Sequence, residues 1–160
     1  LNIDIVRVDY NDTKQAQDLV FLLNEYAKDP MGGGEPLSQS TQQNLPNALA
    51  QTTGAFSFII YVDQKPAALV NNLMGFSTFK CKPLVNIHDV TVMPEYRGLG
   101  LSQKLLSAVE EHAQELGCCK ITMEVLSANE VAKNAYMKYG FKGYELDPEA
   151  GHALFWEKSL

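Results

Sequence analysis

The stretch Asp89-Val90-Thr91-Val92-Met93-Pro94-Glu95-Tyr96-Arg97-Gly98-Leu99-Gly100-Leu101-Ser102 constrains this chain more than any other. A β-branched run gives way to a proline-broken turn, then to a short loop with two glycines, then to apolar residues at helical spacing. A strand that feeds a helix through such a loop surrounds one hollow with backbone N–H groups and the positive end of the helix dipole. Glycine has no Cβ to fill that hollow, so Gly98 and Gly100 leave room for a phosphate. A pyrophosphate-bearing cofactor is the expected ligand.

Two common phosphate loops do not match. A P-loop needs Gly-x-x-x-x-Gly-Lys-Ser/Thr, and the lysine and hydroxyl are missing here. A dinucleotide fingerprint needs a third glycine for close helix–strand packing, and that position, counted from Gly98, is Gln103. What remains is Arg-x-x-Gly-x-small, from Arg97 through Gly100 to Ser102.

That motif resembles the acyl-CoA loop of the GCN5-related N-acetyltransferases, and the likeness extends beyond the loop. Asn129, Ala132, Tyr136 and Gly140-Phe141 follow at the spacing of that superfamily's second motif, and Asn86 to Pro94 resembles its fourth strand. The resemblance is close over residues 84–144 and loose in the remaining element order. Ser102 departs from the family, which has Gly or Ala there; a small hydroxyl fits and offers a phosphate contact.

Size and composition agree with a single domain over residues 1–160, long enough to bury a core. A net charge of −6 and a pI near 5.0 argue against a nucleic-acid partner, which calls for a basic face. Cys81, Cys118 and Cys119 are an odd number with two adjacent, so no disulfide framework is expected and a reducing cytoplasm is. The adjacent pair reads as two small apolar residues entering a strand rather than as a redox or metal site. No run is long enough for a membrane span, and the first residues lack a signal pattern, so no membrane association is expected. His88, His112 and His152 are scattered without ligand spacing, and no metal is expected.

Along the chain, Ile3 to Val8 reads as a first strand, followed by a helix from Asp12 to Asp29-Pro30 with Ala16, Leu19, Val20, Leu23, Tyr26 and Ala27 on its apolar stripe. Met31 to Pro36 is the least restrained segment. Ser40 to Gln51 is a weaker helix, interrupted or restarted near Pro46. Ala55 to Val62, Pro66 to Phe79 and Leu84 to Met93 are strands, with a hairpin turn at Asp63-Gln64-Lys65. Leu101, Leu105, Leu106, Val109, Ala113 and Leu116 form one side of a helix that stops at Gly117. Cys119 to Leu126 is the fifth strand. A helix from Asn129 to Gly140 and a final strand pair, Phe141 to Leu146 and His152 to Glu157, complete the chain. The pattern predicts an α/β (α+β) fold: a central, mostly antiparallel sheet with helices on both faces, only the strand–helix–strand unit around the glycine loop requiring a parallel pair.

The resemblance implies that strands four and five splay apart and that acetyl-CoA enters the gap. The backbone of Val90, Thr91 and Val92 then pairs with the pantetheine amides as another strand would. The amides of Gly98, Leu99, Gly100, Leu101, Ser102 and Gln103, beside Arg97, hold the pyrophosphate. Asn129 either binds CoA through its side-chain amide or caps its helix.

Acyl transfer to an amine needs a neutral amine, a polarised carbonyl and a stabilised leaving thiolate. A primary amine with a pKa near 10 is neutral in about one molecule per thousand at pH 7, a handicap of roughly 4 kcal/mol that a base offsets. His88 is the preferred base, at the strand position of the catalytic carboxylate in the resembled spermidine/spermine acetyltransferases. Substrate binding and a hydrogen bond inside the sheet are its other readings, and Glu124 or a water chain is the alternative base. The motif gives Tyr136 the role of proton donor to the CoA thiolate. No cysteine lies beside an evident base, and direct attack in a ternary complex needs no protein nucleophile.

In the resembled fold the first two helices roof the acceptor. That brings Asp29 and Glu35 near it, with Asp89 and Glu124 as further candidate contacts. The expected partner is a small-molecule amine. A protein N-terminal or lysine acetyltransferase and a non-catalytic acyl-CoA sensor are the alternatives. Relatives are often dimers, which leaves a homodimer open.

Overall fold

The computed structural model describes residues 1–143 and 148–160. Five strands form one sheet in sequential order: β1 Ile3–Arg7, β2 Ala55–Val62, β3 Lys65–Ser77, β4 Lys82–Val92 and β5 Ile121–Met123. The first four pair antiparallel, and β4 pairs with β5 in parallel. Four helices connect them: α1 Thr13–Lys28, α2 Gln39–Gln51, α3 Leu101–Glu115 and α4 Glu130–Tyr139. This is the mixed sheet with one parallel strand–helix–strand unit that the sequence predicts.

Alternation along the central strands sends side chains to two apolar layers. On one face Leu19 and Leu22 of α1 pack on Ile59, Tyr61 and Leu69, with Leu45 and Leu49 of α2 at the margin. On the other, Leu101, Leu105, Leu106, Val109 and Ala113 of α3 pack on Phe58, Ile60, Val70, Val85 and Ile87, and Tyr136 and Tyr139 of α4 join them. A sheet covered on both faces explains the almost wholly buried β2.

Local chemistry sets the element ends. Asp12 caps α1 by accepting from the Gln15 N–H at 2.9 Å, while the Gln15 side chain accepts from the Asp9 N–H at 2.7 Å. Such a cap contributes about 1 kcal/mol. The β2–β3 turn is the two residues Asp63 and Gln64, both at positive φ (48° and 68°), the geometry whose twist matches the flanking strands. Gly140 closes α4 in the left-handed region at φ 119°.

Three sequence expectations need correction. The α2 helix runs unbroken through Pro46. Proline removes only one donor there, and no residue of α2 is buried, so water can satisfy the carbonyl left over. The fifth strand is Ile121–Met123 rather than Cys119 to Leu126, because β4 offers it pairing only from Val85 to Ile87. The expected closing strand His152 to Glu157 has no regular structure, and Leu154, Phe155 and Trp156 are exposed. Its expected partner reaches into residues 144–147, which lie outside the described residues.

One irregularity positions the site. Asn72 of β3 pairs with Ile87 and Asn71 pairs with Asp89, so His88 is an extra residue in β4, a β-bulge. Counting alternate residues through His88 would put Asp89 on the α3 face with Ile87. The bulge instead brings it opposite Asn71, on the α1 face.

Candidate active site

The hollow predicted from the glycine loop is present. After β4 the chain makes a tight turn at Pro94–Tyr96 and an extended residue, Arg97, and then reaches Gly98 and Gly100 at φ 82° and 73°. A Cβ built on either glycine meets nothing within 4 Å, so both face open space rather than packed protein. No side chain caps α3, which begins on the left-handed Gly100. Its first-turn amides, from Leu101 to Gln103, therefore point at that space with the helix dipole behind them. The Leu101 side chain is buried in the core, and the Gln103 side chain donates to the Ala135 carbonyl at 3.0 Å, tying α3 to α4.

The predicted splay is also present. The parallel ladder ends at Ile87↔Met123, whereas β4 continues to Val92. Among the described residues no strand covers β4 on that side from His88 to Val92, so its backbone offers donors and acceptors along the gap. The side chains of Val90 and Val92 pack, partly buried, against the α3 core, and their backbone lies along the open edge. An open strand edge leading into an uncapped, glycine-opened helix start fits an acyl-CoA: amides for the pantetheine arm, N–H groups for the pyrophosphate.

Near the gap stand three titratable groups that burial shifts. Asp89, half-buried under α1, accepts from the Asn71 amide at 3.1 Å. Burial raises its carboxyl above the ordinary range, and the Asn71 bond and His88 oppose that rise. Tyr136 packs edge-on against Phe141, with centroids 6.3 Å apart. Burial pushes its phenol up to about 12, and Tyr26 adds to the rise. Tyr26, near the end of α1, is itself raised by burial and by Asp89 and Asp29. The sequence placed Tyr26 on an apolar stripe and missed it as a site residue; a hydroxyl on that stripe, three residues before Asp29, was the available signal.

The remaining candidates are placed less centrally. His88 is exposed on the bulge. Asp29 uses a carboxylate oxygen to accept from the Met31 N–H at 2.9 Å, shaping the turn after α1, and Glu35 is exposed beyond it. Glu124 is exposed just after β5. Asn129 caps α4 by accepting from the Ala132 N–H at 3.2 Å, which leaves its amide NH2 for a ligand. A cavity of about 530 Å³ between β1 and α3, lined by Arg7, Lys104 and His112 among others, shares no residue with this site.

The fold is that of the N-acetyltransferases. An aminoglycoside acetyltransferase, meta-AAC0020, from an uncultured soil metagenomic sample, solved in complex with sisomicin, superposes with a TM-score of 0.80 at 16% identity, covering 99% of this chain and 96% of its own. AAC(6')-Iy, in complex with the bisubstrate analog CoA-S-monomethyl-acetylneamine, gives 0.78 at 17% identity, covering 100% of both chains. The chain belongs to the acetyltransferase (GNAT) family, whose model matches residues 19–141. In sequence it is similar to the thialysine N-epsilon-acetyltransferase of Bos taurus, 35% identical over 66 residues. That match covers 41% of this chain and 38% of the cattle protein, so the likeness spans well under half the length of this curated relative.

Proposed function

We propose that this protein transfers an acetyl group from acetyl-CoA to a primary amine of a small molecule, by direct attack of the amine in a ternary complex. The observation that carries the reading is the early end of the β4–β5 ladder at Ile87 beside an uncapped α3. The open edge of β4 from His88 to Val92 leads toward the glycine-opened start of α3, where the phosphates would sit. Relatives named for acetylating thialysine and aminoglycosides support a small amine as acceptor.

Acetyl-CoA, when bound, supplies the acetyl thioester. The amides from Gly98 to Gln103, with Arg97, hold its pyrophosphate, the backbone of Val90, Thr91 and Val92 orients its arm, and the amide NH2 of Asn129 is a further contact. A strand N–H of β4 polarises the acyl carbonyl. Asp89, with Asp29, Glu35 and Glu124 farther out, attracts an incoming ammonium, and His88 takes its proton so that the neutral amine can attack; the second proton, shed by the nitrogen as the amide forms, passes to solvent.

Tyr136 then serves the leaving sulfur: burial raises its phenol to about 12, so it carries its proton at neutral pH and can give it to the departing thiolate, the role the motif implies.

The test is acetyl-CoA-dependent thiol release against polyamines, thialysine and other amino acids, aminoglycosides and short peptides. Turnover confined to small amines is expected. Tight acetyl-CoA binding with no thiol release for any acceptor would replace the enzyme by an acyl-CoA sensor, and turnover with peptides alone would move the acceptor to a protein.

A further inference from the structure

Three polar side chains stand directly opposite one another across three strands: Ser57 on β2 pairs with Asn71 on β3, which pairs with Asp89 on β4. Ser57 is 1% exposed and Asn71 7% exposed, in strands that are mostly apolar. Isolated polar groups at such depth are costly unless hydrogen-bonded, and these are joined in a line. The Tyr10 hydroxyl lies 2.8 Å from Ser57 Oγ, Ser57 Oγ lies 2.6 Å from Asn71 Oδ1, and Asn71 Nδ2 lies 3.1 Å from Asp89 Oδ2.

With the Asn71 amide placed as it is, its oxygen toward Ser57 and its NH2 toward Asp89, the direction of every bond follows. An amide oxygen only accepts, so the single Ser57 proton goes to Asn71 Oδ1. Ser57 Oγ then has only lone pairs to offer, and Tyr10 must donate to it. Asn71, its oxygen engaged, presents NH2 to Asp89. That NH2 needs an acceptor, which an unprotonated carboxylate oxygen always provides.

We infer that Ser57 and Asn71 are positioning residues of the acceptor site: the hydroxyl line from Tyr10 supports the Asn71 amide orientation that stabilises Asp89 as a carboxylate. The inference rests on the proposed reading in which Asp89 meets the incoming amine. Neither Ser57 nor Asn71 touches the acceptor; they act through Asp89. The other groups facing Asp89 are His88 on its own strand and Tyr26 on α1, with Asp29 just past that helix and Tyr136 of α4 beyond Tyr26. Burial beneath α1 works against the charge, and the Asn71 bond opposes burial.

Ser57→Ala isolates the effect. Without the hydroxyl the Asn71 amide is free to turn its oxygen towards Asp89, an arrangement that favours the protonated acid. Carboxyl carbon NMR of the full chain, labelled in aspartate, should then show the Asp89 titration displaced upward by about one pH unit. Ser57→Thr, which keeps the hydroxyl, should restore it. Tyr10→Phe, at the outer end of the line, should give a smaller displacement in the same direction, and supplies the test if Ser57→Ala does not fold. If the reading of the site also holds, the acidic limb of kcat/KM for the amine moves with the NMR titration while KM for acetyl-CoA stays put. An Asp89 titration unmoved in the variants overturns the positioning role. A titration that moves without any change in the kinetic limb leaves the line intact and overturns the part given to Asp89 in catalysis.

Discussion

Tyr26 and Tyr136 belong to helices on opposite faces of the sheet, yet the Tyr26 phenol adds to the burial that raises the phenol of Tyr136. The β4–β5 ladder, only three residues long, ends at Ile87↔Met123 and leaves β4 open beyond it.

Tyr136→Phe should therefore slow turnover by roughly 100- to 1,000-fold, the range expected when one preorganised donor to a developing anion is removed. Acetyl-CoA affinity by calorimetry should stay nearly unchanged. Because the phenol is raised to about 12, wild-type rates should show no loss attributable to Tyr136 on the alkaline side below about pH 10. Weakened acetyl-CoA binding without a slower chemical step would remove Tyr136 from the reaction.

Gly100→Ala tests the hollow. The residue lies at φ 73°, where an L side chain costs about 1–2 kcal/mol, and its Cβ would project into open space rather than into protein. Chemical denaturation should show a loss of that order. Titration with acetyl-CoA should show at least a tenfold weaker complex, since the new methyl stands where the phosphates are expected. Unchanged affinity would move the cofactor elsewhere.

Gly32→Ala tests the roof. A Cβ there would lie 2.0 Å from the Tyr26 carbonyl oxygen, and backbone cannot yield as a flexible side chain would. The expected cost is about 1–3 kcal/mol in thermal or denaturant unfolding. Because that turn carries Asp29 and leans on the end of α1, KM for the amine should rise several-fold more than KM for acetyl-CoA.

Asp89 makes a prediction about stability. Its carboxyl is raised in the folded protein, so between the unfolded and folded pKa values the native state binds more protons than the unfolded chain. Its contribution is fully present below the unfolded value and is lost as pH rises through the folded one. Asp89→Asn should remove that decline: the ratio of variant to wild-type stability should climb with pH across the acidic range and level off above it, followed by urea melts at several pH values. A flat ratio would mean that Asp89 is no harder to ionise in the folded chain than in the unfolded one.

The sequence disclosed the parts of this molecule that depend on neighbours along the chain. The α1 cap at Asp12 and the glycine-opened start of α3 are local events, and each is where the residues say; the hairpin turn is where Asp63-Gln64-Lys65 places it, one residue shorter because Lys65 already pairs with Val62. Whatever depends on partners across the sheet was out of reach. Nothing in Asn86-Ile87-His88-Asp89 announces a bulge, and without it the α1-facing place of Asp89 does not follow. Ser57 and Asn71 are visible as polar residues in apolar strands, but only the register brings them into one row with Asp89. The extent of β5 was overestimated for the same reason, since its length is set by what β4 offers and not by its own residues.

The extra residue in β4 has one more implication. Because Asn71 pairs with Asp89 and Asn72 with Ile87, His88 has no opposite number in β3, and a chain lacking it would close an uninterrupted ladder with every other partner unchanged. Side-chain replacement leaves the kinked backbone in place, whereas excision of His88 straightens it and keeps Asp89 opposite Asn71. Comparing the two separates what the imidazole contributes from what the shape of the strand contributes.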